Sequence, residues 1–480
     1  MRIAFSSHSG VRVAAVFHRL LALVFLFAWG SLLWQIEVLI GSRGLSPIVE
    51  MLASVGPTLG FAKFPSLVLF DSSDSALVVG VWFGIVVALL WSSGFVPRLC
   101  AAISALLYLS YATAAGDFLH FQWDSMLIEC GVLAALLPVD RPAPWIHILF
   151  RVLLFKLYFE SGIAKAQSYL GDWFDGTAMT YYYETAPLPT WLAWYAHALP
   201  AWWHQLESRL VLVVELLVPL GIFGPRRARV ACAVTLTVFQ ILNLMTANYG
   251  FFCYLSIALH VFLLNDTDLT RLSLRGRPTA AIAGSDSRGV TLALRRILAS
   301  GVAVAYIGFS IVEAVYAFAP PSHSPQALAA LRRAYAPFRV VNTYHLFGHI
   351  TRERIEPELQ TFDGSEWRAH HFRYKPGDPT VRPPFVAPHQ PRVDFRLWFY
   401  GLSFRGNTPA YVRSLVRRVC VDPSAVESLF AQRLPDAPQA IRLVYWRYRF
   451  TTDHREEPWW NRDIVAETEA MDCGSIAPTS

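Results

Sequence analysis

No CxxC pair, glycine-rich phosphate loop, GxSxG elbow or HExxH helix occurs in this chain. The first absence removes zinc ribbons and thioredoxin-type redox sites. The others remove the commonest signatures of nucleotide binding, serine hydrolysis and zinc peptidase chemistry. Charge is also scarce: 16% of residues are Asp, Glu, Lys or Arg, against about 25% in soluble domains. Lysine is nearly missing, with four (Lys63, Lys156, Lys165 and Lys375) beside 37 arginines. No physical constraint asks for that ratio, which matches the codon usage of a GC-rich genome and points to a bacterial source. Of six cysteines, Cys100, Cys130, Cys232 and Cys253 fall in apolar runs, where a thiol behaves as a small hydrophobe. Cys420 and Cys473 lie in a polar region and either pair in an oxidising compartment or remain thiols.

What the chain has in abundance is apolar surface: 54% hydrophobic residues and a mean hydropathy of +0.37. A spanning helix needs about 20 apolar residues, and about 17 can suffice. Candidate spans are 14–40, 76–92, 99–115, 125–139, 145–166, 209–223, 229–246, 249–265 and 296–319, nine in all, with 125–139 short enough to be re-entrant. The first run is too long for a signal-peptide core and lacks a small-residue cleavage site.

The net charge of +6 does not suggest nucleic acid, because the arginines sit in short loops between apolar runs. Arg2, Arg12 and Arg19 lead the first span; Arg226, Arg227 and Arg229 fill one loop; Arg271, Arg275, Arg277, Arg288, Arg295 and Arg296 crowd another. With all three on the cytoplasmic side, nine spans place loops 41–75 and 167–208 and the C-terminal region outside. Loop 167–208 is dense in Trp and Tyr. Its stretch 190–205 is expected to lie as an interfacial helix, as an anchor or as the lip of a binding site.

The expected fold is a polytopic α-helical membrane bundle (1–320), a linker and short helix (321–341, with the helix at 326–336), a soluble β-rich α+β domain (342–473) and a tail (474–480). Asp363-Gly364 signals a tight hairpin and 374–378 a second turn. Alternation predicts strands at 393–400 and 441–451, and 409–420 and 423–433 read as helices.

Ionisable residues inside spans are costly and mark function or packing. They concentrate here at Asp124, Glu129, Arg151, Lys156, Glu160, Lys165, Asp172, Asp175 and Glu184. Lys156 and Glu160 are four apart, so an intrahelical pair is available, and Lys165 near the outer boundary is expected to snorkel. Two readings stand: charges that neutralise one another and fix packing, or a polar cavity that binds or handles protons. Glu37, Glu215 and His260 each read as an interhelical hydrogen bond. His370, His371, His389 and Asp394 are zinc-type donors without a ligand spacing, so no metal and no cofactor is expected.

Several ordered segments resemble the lipase maturation factor family. They are Leu32 to Pro47; Phe121 to Gly131; Gly162, Lys165, Gly171, Asp172, Trp173, Asp175, Tyr183, Glu184, Thr185, Pro187 and Pro189; and, most strongly, Asn342-Thr343-Tyr344, Phe347-Gly348, Tyr374 to Asp378, Arg382-Pro383, Phe385-Val386 and Pro388 to Arg392. The central loop departs from the family, with Asp172-Trp173-Phe174-Asp175 where relatives carry a cysteine and an Arg-Asp, and the chain shows no endoplasmic-reticulum retention tail. The resemblance implies a non-enzymatic membrane chaperone that helps secreted lipases or other exported clients mature, with membrane lipids as the other partner. It implies a client surface that includes Asn342, Tyr344, Phe347, Tyr374, Lys375, Asp378, His389, Gln390 and Arg392. The implied setting is a bacterial inner membrane, or the endoplasmic reticulum in a eukaryote. A fainter likeness, of Gly162 to Lys165, to DoxX-like proteins and vitamin-K-dependent carboxylases keeps an intramembrane enzyme as a rival, with a transporter third.

Overall fold

The structure, a computed structural model, describes residues 10–56, 60–271, 289–320, 325–453 and 458–476. Arg2, Arg275, Arg277, Arg288, the side chains of Arg295 and Arg296, linker residues 321–324 and tail residues 477–480 lie outside these.

Helix occupies every predicted span. α1 (Val11–Leu33), α2 (Ile36–Ile40) and α3 (Ile48–Val55) are followed by α4 (Asp74–Ser92), α5 (Pro97–Ala114), α6 (Gln122–Leu136) and α7 (Pro144–Ala166). The aromatic loop contains α8 (Asp172–Asp175), α9 (Ala178–Thr185) and α10 (Trp191–His197). Then come α11 (Ala201–Leu216), α12 (Arg226–Thr246), α13 (Phe252–Leu259), α14 (Asp266–Arg271) and α15 (Gly289–Phe318). Prolines open α5 and α7, where the missing N–H costs nothing, and the Ser73 hydroxyl accepts from the N–H of Ala76 to cap α4. α1, α4, α12 and the 297–318 part of α15 are long and apolar enough to cross a membrane. Trp82, Phe83 and Val86 on α4, Leu206 and Leu210 on α11, and Val304 and Ile311 on α15 are exposed. Such an apolar belt is stable only against lipid.

The bundle has two polar ends. At one, Asp266 accepts the N–H groups of Gly10 (2.9 Å) and Val13 (3.1 Å), and Arg226 pairs with Asp268. The start of α1, the start of α12 and α14 therefore share one end of the bundle. At the other end, Arg43 pairs with Asp422 of the C-terminal region. α6 runs from that second end towards the first, and the Leu137 carbonyl that follows it lies 3.0 Å from His18 Nε2, inside α1.

Two predicted elements divide. The first span stops at Trp34 and restarts as α2, and the single interfacial helix expected over 190–205 is α10 and α11, separated at Pro200.

The C-terminal region begins with α16 (Gln326–Tyr335) and builds an antiparallel sheet from β1 (Arg354–Phe362), β2 (Trp367–His370), β3 (Ala440–Phe450), β4 (Trp460–Glu467) and β5 (Met471–Asp472). Its order is β2-β1-β3-β4, with β5 beside β3. The β1–β2 hairpin turns at Gly364, whose φ of 99° suits a residue without Cβ. α17 (Arg392–Leu402) packs on β1, and α18 (Ala410–Val421) carries the Cys420–Cys473 disulfide. The domain is thus α+β.

Two expectations fail here. Residues 393–400, read as a strand, are helix: nearly every side chain of α17 is buried, with only Phe399 and Leu402 exposed, so the burial stripe that marks a helix is hidden. Residues 423–433 hold two 3₁₀ turns instead of a helix, because Phe430 bridges to Phe372 in extended form.

Candidate functional site: the buried joint between bundle and domain

The polar residues of the bundle converge on the segments of the C-terminal domain that lie against it. Glu129, in the middle of α6, is fully buried and its carboxylate accepts from five donors. Oε1 takes Lys156 Nζ (3.0 Å) and the Tyr306 hydroxyl (2.5 Å). Oε2 takes the Asn342 N–H (3.1 Å), Asn342 Nδ2 (2.8 Å) and the Tyr344 hydroxyl (2.6 Å). Lys156 therefore serves Glu129 across two helices, not Glu160 on its own helix as the spacing suggested. Glu160 instead accepts the N–H of Tyr344 at 2.8 Å.

One turn along, Lys165 is buried and does not snorkel. Its Nζ lies 3.0 and 2.7 Å from the two oxygens of Glu215 and donates to the Leu346 carbonyl at 2.8 Å. Asp172 accepts the N–H of Ile350 at 2.9 Å, and Trp173 Nε1 donates to the Gly348 carbonyl at 3.1 Å. Residues 342–350 are thus held along α6, α7 and α8 by one acid or base after another. Gln122 adds a hold on the N–H of His345 at 2.8 Å.

A second set grips the proline segment. Arg392 forms a bidentate pair with Asp124 (2.7 and 2.9 Å) and donates to the Tyr108 hydroxyl (3.1 Å), all three buried. Gln35 accepts the N–H of Arg392 at 2.7 Å and donates to the Gln390 carbonyl at 2.9 Å. Ser31 accepts the N–H of Gln390 at 2.9 Å and lies 3.0 Å from His389 Nδ1. Asn248 accepts from Val386 (2.7 Å) and Ala387 (3.0 Å) and donates to the Pro384 carbonyl (2.9 Å).

The aromatic loop closes the third side. Arg354 is buried and donates to the carbonyls of Glu184, Ala186 and Pro187. It also pairs with Glu356, which holds Lys375. Glu184 accepts the N–H of Phe450 at 2.7 Å. Burial raises the Glu184 carboxyl above the usual range, opposed by that N–H and by Arg354.

Of the predicted polar cluster, the structure brings Asp124, Glu129, Lys156, Glu160, Lys165, Asp172 and Glu184 to the joint. Arg151 points elsewhere, to the Phe262 carbonyl, and Asp175 is exposed. Of the predicted client contacts, Tyr344, Lys375, Gln390 and Arg392 are buried in these networks, and Asn342 is tied to Glu129. Phe347 packs on Tyr182 and Tyr249. The Tyr374 ring lies 5.3 Å from that of His389 at a tilt of 57°, and Asp378 caps its own turn at Thr380. His260 bonds Tyr158 and Thr237 as expected of an interhelical bond, whereas Glu37 is exposed. Sequence reasoning missed Ser31, Gln35, Tyr108, Gln122, Asn248, Tyr306 and Arg354. Gln122 and Asn248 stand at the ends of apolar runs, which was the available signal; Ser31, Gln35, Tyr108 and Tyr306 lie inside such runs and Arg354 outside them, where nothing marked them.

Among the described residues no three His, Cys, Asp or Glu side chains stand together as a metal site. His370 bonds Thr361 (2.7 Å), His371 lies 3.3 Å from Glu358, and Asp394 accepts the N–H of Tyr374 (3.1 Å). A carboxylate with five donors, or one clamped by a bidentate guanidinium, is already satisfied.

Comparison with known proteins agrees with this two-part construction. Residues 12–271 match the family described as lipase maturation factor transmembrane domain, and residues 340–470 match lipase maturation factor C-terminal domain. The chain is similar to lipase maturation factor 2 of Rattus norvegicus, at 28% identity over 93% of this chain and 81% of that protein. It is also similar to lipase maturation factor 2 of Homo sapiens (27%, over 93% and 80%) and lipase maturation factor 1 of Bos taurus (28%, over 92% and 86%). No solved structure matches. These relatives are vertebrate proteins, and nothing in the matches supports the bacterial source inferred from arginine usage.

Proposed function

Since the chain belongs to the lipase maturation factor family, we propose that it is a membrane-held maturation factor that presents its C-terminal domain rigidly to folding lipases. The observation that carries this reading is the joint itself. Bilayer acids and bases are spent on holding residues 342–350 and 384–392, so the bundle acts as a mount and the surface above it as the working part. An enzyme or a carrier built on the same cluster would need a cavity with an unsatisfied group, and the buried acids and bases of this cluster have partners.

The working face we assign lies where the proline segment meets the aromatic loop. Val381 and Phe385 are exposed there, and Arg382 stacks over Trp191 with 5.6 Å to the ring centroid. Apolar groups exposed beside a cation and indole suit a partner whose own apolar surface is not yet buried. Residues such as Tyr344 and Arg392 act in this scheme by positioning that face, not by touching a client. The arginine-rich end is cytoplasmic in this reading and the domain faces the lumenal or extracytoplasmic side, where the Cys420–Cys473 disulfide is stable.

The test is co-expression of a secreted lipase with the full chain or with Phe385→Ala/Val381→Ser. The expected result is a higher active fraction of lipase per lipase antigen with the parent chain. The double variant should lose that gain while melting like the parent. An active fraction unaffected by the presence of the chain sinks the proposal.

A further inference from the structure

A cavity of about 600 Å³ opens between the outer end of α1 and the proline segment, within the range of small-ligand sites. Its two ends differ in chemistry. The floor is α1 at bilayer depth: Leu26, Phe27 and Gly30, one to two turns below the helix end at Leu33. A Cβ built on Gly30 would meet nothing within 4 Å, so the space beside this helix is open. The roof is polar and carries one charge of each sign. Arg373 is exposed, with one side-chain hydrogen bond, to the Phe430 carbonyl; Asp394 lines the same end from a buried position, one of its oxygens accepting the N–H of Tyr374. Two aromatic rings, Trp34 (79% exposed) and Tyr374, stand at the same level. Indole rings favour the headgroup zone.

We propose that this cleft binds a zwitterionic phospholipid from the adjacent leaflet. One acyl chain lies along Leu26, Phe27 and Gly30, the phosphate meets Arg373, and the ammonium occupies the end formed by Asp394 and the two rings. Guanidinium recognises phosphate, and a carboxylate with aromatic faces recognises an alkylammonium. A purely anionic lipid would satisfy Arg373 and face Asp394 unfavourably. A peptide arriving from water would have to enter lipid to reach the floor. The lipid would bridge bundle and domain beside Ser31 and His389, adding to the joint without touching the client face.

The experiment uses the full chain in nanodiscs with equal amounts of phosphatidylcholine and phosphatidylglycerol, released into native mass spectrometry. The parent should retain one phosphatidylcholine in preference to phosphatidylglycerol. Gly30→Leu fills the floor and improves helix propensity, so it should melt no lower than the parent yet retain about tenfold less lipid. Arg373→Gln, on the exposed rim and independent of α1, should lower retention of both lipids. Undiminished retention in Gly30→Leu, or equal retention of both lipids by the parent, overturns the proposal. The readout involves no lipase, so it stands or falls separately from the client assay.

Discussion

Arg392 and Asp124, 268 residues apart in sequence, close a bidentate ion pair with both side chains shielded from solvent. One belongs to the first turn of a helix in the C-terminal domain, the other to the first turn of α6 in the bundle. Neither charge has water to fall back on, so each depends on the other. Removing one partner of such a pair typically costs about 3–5 kcal/mol, whereas replacing both by apolar groups costs far less. Arg392→Met and Asp124→Leu alone should each lower the melting temperature of the purified chain by several degrees, and the double variant should recover most of that loss. Additive losses would mean that the two charges are not coupled.

Glu129 offers a graded version of the same test. Tyr344→Phe removes one of its five donors and leaves the carboxylate served by Lys156, Tyr306 and Asn342. The expected cost is about 1–2 kcal/mol, read in a denaturant titration. Glu129→Ala strands Lys156 in the bundle and should cost more than twice as much, with Glu129→Ala/Lys156→Met intermediate. If Tyr344→Phe proved as damaging as Glu129→Ala, the hydroxyl would have a role beyond this network.

Much of this was legible beforehand, and the limits have physical causes. Run length and arginine placement report on solvent, so the apolar helices and the polar end shared by α1, α12 and α14 could be read from composition. Partner choice is another matter. Helix spacing says that Lys156 and Glu160 share a face, but not that α6 brings Glu129 to that face. Lys165 looked like a boundary residue because the sequence does not show that α11 and residue 346 would cover it. α17 was misread for a related reason: a helix buried on nearly all sides has no polar stripe to reveal its period. Its start signals, Pro391 before the first turn and Asp394 within it, were present and outvoted by the alternation. The family segments were found as words, and only the fold shows that they meet: 121–131 grips 342–345 and 392.

The Cys420–Cys473 disulfide ties the end of α18 to the 3₁₀ turn after β5, closing a loop with a sequence separation of 53. On loop-closure grounds such a bond contributes about 4 kcal/mol. Cys420→Ser/Cys473→Ser should therefore lower the denaturation midpoint of the C-terminal domain, and reductant should reproduce the effect in the parent only. A membrane-impermeant thiol reagent should label these cysteines, after reduction, only from the extracytoplasmic side of sealed vesicles. Labelling from the cytoplasmic side would invert the proposed orientation.

Asp394 gives the stability a pH dependence of unusual sign for a carboxylate. Burial raises its pKa from 3.8 to about 6, partly offset by Lys375 and by the N–H of Tyr374. Below about pH 4 the group is protonated in folded and unfolded chains alike. Between about pH 4 and 6 the folded chain keeps the proton that the unfolded chain has released, so stability falls as pH rises, by about 3 kcal/mol in all. Above about pH 6 both forms are ionised and the loss is complete. His389, lining the same cavity, is lowered to about 4 by burial, with Arg392 adding. It acts in the opposite sense, with stability lost as pH falls from 6.5 towards 4. The two slopes therefore partly cancel in the parent. Asp394→Asn removes only the first. The melting temperature of Asp394→Asn relative to the parent should climb from pH 4 to pH 6 and then stay level, because the histidine contributes equally to both proteins. A difference independent of pH across that window would mean that the carboxyl is solvated in the folded chain.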